Sequence, residues 1–156
     1  MSAEPLIVTF YPPDELMNLN QRWHWAKRSR VVKAWRSACA WTAEIAARGI
    51  PLPLGPSTIR TTIAVYGHHR RDPANYTPTV KACVDGLVDA GLWPDDTPDW
   101  VETIEPRLRV IQRGMPQTID IEITPRNQGA HPCQEHDAST AAEDTATSST
   151  ARKSTA

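Results

Sequence analysis

Long hydrophobic runs are absent from this 156-residue sequence, and no stretch approaches the ~20 apolar residues that a transmembrane helix requires. The opening MSAEPLIVTF lacks the charged and apolar regions of a signal peptide. Cysteines are scarce as well: there are three, widely spaced and with no CxxC pair, which excludes a disulfide scaffold and is typical of a reducing compartment. We therefore expect a cytoplasmic protein with no membrane role.

Several sequence signatures of catalysis are also missing. The chain has no glycine-rich phosphate loop and no serine-nucleophile elbow. A trio with zinc-like spacing, His131, Cys133 and His136, lacks a nearby fourth ligand. His68 and His69 are adjacent, so on a strand they point to opposite faces and are poorly placed to bind one metal ion.

Apolar patterning in the rest of the chain predicts an α+β fold, a small mixed β-sheet with two helices in the order β-α-β-α-β-β. Strands are expected at about Leu6–Phe10, Thr58–His68, Trp100–Arg113 and Thr118–Thr124. Helices are expected at about 29–48 and 77–90. The turn RGMPQ makes the last two strands a candidate hairpin, and Pro106 should interrupt the first of them.

Periodicity assigns the core faces of these elements. The first helix carries an apolar stripe with helical spacing, made of Val32, Trp35, Cys39, Thr42 and Ile45 and widened by Val31, Ala38 and Trp41. In the second strand, one face is formed by Ile59, Thr61, Ile63 and Val65. In the last strand, the alternation of polar and apolar residues places three isoleucines on the core face: Ile119, Ile121 and Ile123.

Large apolar residues are lacking after Pro125, where the chain is rich in alanine, serine and threonine. Such a segment buries too little surface to offset its chain entropy. The sequence therefore predicts one folded domain at 1–125 and a disordered polar tail at 126–156.

The net charge of −1 gives no indication of nucleic-acid binding, but the positive charges are unevenly placed. A stretch without acidic residues carries a basic patch: Arg22, Lys27, Arg28, Arg30, Lys33 and Arg36, with His24. A local field of this kind favours phosphate within about one Debye length, ~8–10 Å. The alternative is a solvated helix face.

Carboxylates surround the second predicted helix: Asp72 before it, Asp85 within it, and Asp95 and Asp96 after it. Lys81 and Asp85 are four residues apart and should share a helix face. Mg²⁺ prefers oxygen ligands and needs only one or two protein carboxylates beside water and phosphate. The alternative is that these aspartates only form turns, since Asp72 precedes a proline and Asp95–Asp96 follow one.

The stretch RRDPANYTPTVKACVDGLVDAGLWPDD resembles the central motif of the RusA family of Holliday-junction resolvases. That motif has arginines, Asp-x-Asp-Asn, a lysine, Asp-Gly/Ala-Leu and a final Asp-Asp pair. In this sequence the corresponding residues are Arg70–Arg71, Asp72–Asn75, Lys81, Asp85–Leu87 and Asp95–Asp96. The flanks FYPPDELMNLNQR and TIDIEIT are similar to the start and end of the family, so the resemblance covers about residues 5–125.

The resemblance implies a homodimer that binds four-way DNA junctions in bacteria or phage-infected cells and cuts them symmetrically with Mg²⁺, or with Mn²⁺ in its place. Asp72 and Asp96 would be metal-binding carboxylates and Lys81 the essential lysine, and Asp85 and Asp95 are further metal candidates. The expected nucleic-acid-binding residues are Arg28, Lys33, Arg36, Arg70, Arg71 and Asn75. Trp23 and Trp25 are candidates to stack on bases or wedge at the crossover, or else to form a dimer contact or cover the core edge.

Two departures from the family pattern bear on catalysis. Ala74 replaces the second aspartate of the Asp-x-Asp motif, and the gap between Asn75 and Lys81 is two residues longer. Asp85 and Asp95 are the candidates to compensate. The sequence therefore leaves three functions open: a junction endonuclease, a junction-binding protein of low or no activity, and a small protein-interaction module.

Overall fold

A computed structural model of the chain describes residues 4–67 and 70–126. Two helices and four strands form the fold, in the order β1 (Leu6–Phe10), α1 (Trp25–Ala46), β2 (Ser57–Tyr66), α2 (Thr77–Asp89), β3 (Val101–Ile111) and β4 (Ile119–Pro125). The predicted α+β fold with a mixed sheet and two helices is confirmed. His68–His69, the trio at 131–136 and residues 127–156 of the predicted tail lie outside the described residues.

The four strands form one sheet in the order β1-β4-β2-β3. β4 runs antiparallel to both β1 and β2, whereas β2 and β3 are parallel. The predicted hairpin between β3 and β4 is therefore wrong, because β2 lies between them. The β2-α2-β3 segment is a parallel crossover unit, and a helix between two strands is the sequence signal for it.

Both helices are crossover connections, and they lie on the same face of the sheet. β1 and β2 are parallel to each other, since each is antiparallel to β4. α1 connects β1 to β2 and α2 connects β2 to β3, and both steps cross the sheet in the same direction. Right-handed crossovers in one direction place both helices on one side.

The core lies between this sheet face and the helices. The alternating residues predicted for β2 and β4 are buried: Ile59, Thr61, Ile63, Val65, Ile119, Ile121 and Ile123. From α1, Trp35 is buried and meets the ring of Phe10 edge-on, with ring centroids 6.0 Å apart. Such an aromatic pair is favourable beyond its area burial.

The apolar stripe predicted for α1 is shifted in the structure. The residues that face the core are Val31, Trp35, Cys39 and Ala43. Trp41 and Ile45, which were predicted to lie on the stripe, are 68% and 41% exposed. The reason is steric: α1 approaches α2 closely where Cys39 lies against Gly86, and a Trp ring does not fit that contact.

Pro106 marks a β-bulge rather than the end of a strand. Arg60 pairs with Ile104 and Thr62 with Arg107, so Glu105 and Pro106 together oppose one residue of β2. Proline is tolerated at such a position because a bulged residue does not donate to the ladder. The interruption predicted at Pro106 is confirmed, and β3 continues through it.

Candidate functional site

Lys81, in the second turn of α2, lies at the centre of the charged cluster. Its Nζ donates to Asp85 Oδ1 at 2.9 Å and to Asp96 Oδ2. The contact with Asp85 is the predicted pairing of residues four apart on one helix face. Asp96 comes from the loop after α2, so the cluster joins two parts of the sequence motif.

The loop after α2 brings Asp96 back along the helix. Gly91 adopts a φ of 78°, which favours glycine, and ends the helix. Leu92 and Trp93 are buried, and the indole N–H of Trp93 donates to the carbonyl of Gly55 at 3.1 Å. These anchors fix the loop, and the backbone N–H of Asp96 donates to Asp95 Oδ1 at 2.6 Å.

A second set of ion pairs joins α2 to α1. Arg36 donates from Nε and one terminal nitrogen to the two carboxylate oxygens of Asp89, at 2.9 and 2.7 Å. Its other terminal nitrogen lies 4.0 Å from Asp85. Arg36, Asp85, Lys81 and Asp96 therefore form a continuous row of alternating charges. Sequence reasoning missed Asp89, although its spacing of four residues from Asp85 places both on one helix face.

The ion pairs set the charge states of these groups. The hydrogen bond to Asp96, and then that to Asp85, raises the pKa of Lys81. The hydrogen bond from Lys81 lowers the pKa of Asp96 below its ordinary value. In the same way Arg36 lowers the pKa of Asp89. Lys81 and Asp96 are thus both charged over the whole neutral range.

Asp72 has a different contact. Its Oδ1 accepts the backbone N–H of Ala74 at 3.0 Å, which caps a short 3₁₀ helix, Pro73–Tyr76, ahead of α2. Asn75 is tied to the first loop through its carbonyl oxygen, which accepts the N–H of Leu19 at 2.9 Å. Across residues 4–67 and 70–126, no hydrogen bond or ion pair joins Asp72 or Asp95 to Lys81.

The carboxylates of the cluster are the groups that could hold Mg²⁺. In the part of the chain that the structure describes, no three His, Cys, Asp or Glu side chains come together as metal ligands. Two carboxylates, Asp85 and Asp96, do converge on one cation, the Lys81 ammonium. Since Mg²⁺ is commonly held by one or two carboxylates with water and phosphate, this pair fits the ion.

The predicted DNA-binding residues fall into two groups. Arg28, Lys33 and Arg36 line one open groove on α1, with a volume of about 700 Å³. Arg70 and Arg71 lie in the segment between β2 and the 3₁₀ helix, with Arg70 exposed and Arg71 half-buried. Arg36 belongs both to the groove and to the row of charges that ends at Asp96, so the groove opens beside the cluster.

Comparisons with known proteins do not assign a family. No family model matches the chain, and no curated protein matches it. Two solved structures of the hydrogenase maturation protein HypE, one from E. coli, align with 83% of the chain at 14% and 10% identity and a TM-score of 0.32. The chain spans about a third (34%) of their length. A likeness at that TM-score carries no argument about function.

None of the described helices is long and apolar enough to cross a membrane.

Proposed function

We propose that the protein is a Mg²⁺-dependent endonuclease that resolves four-way DNA junctions by paired phosphodiester hydrolysis. The proposal starts from the resemblance to the RusA family, with Mn²⁺ as an alternative ion. The observation that carries it is the contact of Lys81 with both Asp85 and Asp96. The essential lysine and the final aspartate of the motif are fifteen residues apart in the sequence, yet they meet in the fold.

Each charged residue has a chemical role in this proposal. Asp96 and Asp85 would hold the metal ion. Asp72 is the other metal carboxylate that the resemblance implies, and Asp95 is the second candidate to compensate for Ala74. When bound, the ion supplies an activated water and neutralises phosphate charge. Lysine is protonated at neutral pH and the partners of Lys81 raise its pKa further, so its ammonium is available to a phosphate oxygen. The contacts with Asp85 and Asp96 place that ammonium beside the proposed metal position.

The basic groove is proposed to bind the DNA backbone. Arg28 and Lys33 line it, and lysine and arginine contacts to phosphate give affinity that falls steeply with salt. Arg70, Arg71 and Asn75 are the further proposed contacts, from the segment that leads into α2. Paired cuts require two active sites, which is why we propose a homodimer acting in the cytoplasm of a bacterial or phage-infected cell.

The deciding experiment is cleavage of a synthetic four-way junction by wild-type protein, with Mg²⁺, with Mn²⁺ and with a chelator. Asp96→Asn removes a charge that the cluster uses, and we expect it to reduce the cutting rate at least ~100-fold while junction binding persists. Asp99→Asn is the matched control, since Asp99 is an exposed aspartate that lies in the same inter-element loop but outside the cluster. Wild-type cutting by Asp96→Asn would exclude this metal site.

A second candidate function is junction binding without cleavage. The observation in its favour is that the Asp72 carboxylate caps the 3₁₀ helix at Ala74, the position where the family has its second aspartate. Tight, salt-dependent binding with no nicking in either metal would support it. Gain of cutting in Ala74→Asp would then show that the missing carboxylate is the cause.

A further inference from the structure

The two tryptophans at the start of α1 have different environments. Trp23 is partly buried and packs against the core, and the ammonium of Lys27 lies 4.4 Å from its ring centroid. Trp25 is 75% exposed, the most exposed of the large apolar side chains in the described residues. Trp23 therefore covers the core edge, whereas the Trp25 ring faces solvent.

Trp25 is also placed where a ligand could use it. It lines the 700 Å³ groove together with Arg28, Ser29, Val32 and Lys33. The neighbouring His24 ring, 5.6 Å away between centroids, precedes the helix and accepts the N–H of Ala26 through Nδ1. A lone exposed apolar residue needs no explanation. An exposed indole at one end of a cationic groove is a different arrangement.

The charges of the groove favour an anion. Arg36 is held by Asp89, but Arg28 and Lys33 make no ion pair within residues 4–67 and 70–126. The first turn of α1 contains no acidic residue, and the N-terminal end of a helix adds positive potential. A ligand that suits this groove carries phosphates and a flat aromatic group.

We propose that the groove is a binding site for single-stranded DNA, in which one unpaired base stacks on Trp25 and the adjoining phosphates contact Arg28 and Lys33. This inference rests on the proposed function, because it names a feature of the DNA that the nuclease would bind. Trp25 precedes Arg36 by eleven residues, or about 16 Å along a helix with a 1.5 Å rise. The stacked base is thus separate from the nucleotide at the Lys81 cluster.

The test compares two labelled oligonucleotides of equal length, oligo-dT and the same backbone with abasic sites, by fluorescence anisotropy on the full chain. Wild-type protein should bind oligo-dT more tightly. Trp25→Ala should weaken binding of oligo-dT by roughly 5- to 150-fold, the range for loss of one stacked base, and leave the abasic strand unaffected. Trp25→Phe keeps an aromatic ring and should weaken binding less.

Two control variants separate the contributions. Trp41→Ala removes another exposed indole of α1, outside the groove, and should bind both strands like wild type. The double variant Arg28→Gln with Lys33→Gln should weaken the binding of both strands alike. This double variant should also show a shallower fall of log affinity with log salt concentration. The slope should decrease by about 0.7 for each phosphate of the single strand that the two side chains neutralise in wild type.

Equal binding of both strands by wild-type protein would overturn the inference, as would an unchanged preference in Trp25→Ala. A shift in sedimentation of Trp25→Ala to a smaller species, with DNA binding unchanged, would instead make Trp25 a contact between copies. Cleavage of junctions is scored separately: if wild-type protein cuts none, the proposed function fails even where the stacking site is confirmed.

Discussion

At the scale of single residues, Lys81 is the side chain on which the candidate site depends. It balances two carboxylates that would otherwise repel each other, and they raise its pKa above the ordinary lysine value. The Asp85 contact follows from helix geometry, so the sequence predicted it. The Asp96 contact depends on the burial of Leu92 and Trp93, which turns the loop back, and no spacing rule contains that information.

Removal of the Lys81 charge should be visible at Asp96. In Lys81→Met the pKa of Asp96 should rise above its wild-type value, because the ammonium that lowers it is gone. Carboxyl-carbon NMR titration measures this directly. Lys27→Met is the control, since Lys27 pairs with Glu15 and should leave Asp96 unchanged. An Asp96 titration that is the same in Lys81→Met and wild type would contradict the contact.

The same pair makes stability depend on pH in a defined direction. The depressed pKa of Asp96 contributes stability that is present above the unfolded value of about 3.9 and is lost as pH falls through the lower folded value. The raised pKa of Lys81 contributes stability that is present below about 10.4 and is lost as pH rises through the folded value. The difference in free energy of unfolding between wild type and Lys81→Met, measured by urea titration, should therefore be greatest between about pH 5 and 9. Even there it should be small, because these groups are partly exposed.

At the scale of elements, the packing of α1 on α2 joins the basic groove to the carboxylate cluster. Arg36 pairs with Asp89, and the Cβ of Cys39 lies against Gly86. The neighbouring Cys39 thiol and burial together raise the pKa of the Cys83 thiol. Cys39, which was predicted to lie on the apolar stripe of α1, is buried, and so is Cys83.

Gly86 is the residue that permits this close approach. A Cβ at position 86 would lie 2.5 Å from the carbonyl oxygen of Arg36 and 2.9 Å from the Cβ of Cys39. Gly86→Ala should therefore lower the free energy of unfolding by about 1–3 kcal/mol, although alanine is the better helix former by ~1 kcal/mol. Ser37→Ala, at an exposed position of α1, should change it by less than about 0.5 kcal/mol in the same urea titration. A more stable Gly86→Ala would show that the helices separate readily.

At the scale of the whole molecule, alternation predicted which strand faces meet the core, but not which strands are neighbours. The turn after β3 indicated a hairpin with β4, yet β2 takes the place between them. β2 is rich in β-branched residues and is buried at Ala64 as well as on its core face, as suits an interior strand. Which strands become neighbours depends on which strand takes the interior position of the sheet. Local sequence signals do not contain that information.

Arg126 follows β4 and is the last residue that the structure describes. The backbone N–H of Arg126 donates to the carbonyl of Pro56 at 2.8 Å, and its guanidinium donates to the carbonyl oxygens of Pro98 and Asp99. A chain truncated after Arg126 should unfold at the wild-type temperature in calorimetry. Truncation after Thr124 removes these bonds and should cost about 1–3 kcal/mol. Equal melting of the two truncated chains would refute the contribution of Arg126.

The position of β4 in the sheet has a consequence for synthesis of the chain. Among the strands that the structure describes, β1 pairs with β4 alone, and Leu6 pairs with Ile123, more than a hundred residues later. Pairings this distant in sequence form slowly. As the chain leaves the ribosome, the apolar β1 segment LIVTF therefore has no strand partner until residues 119–125 emerge. During that interval β1 presents an unpaired strand edge, which favours aggregation.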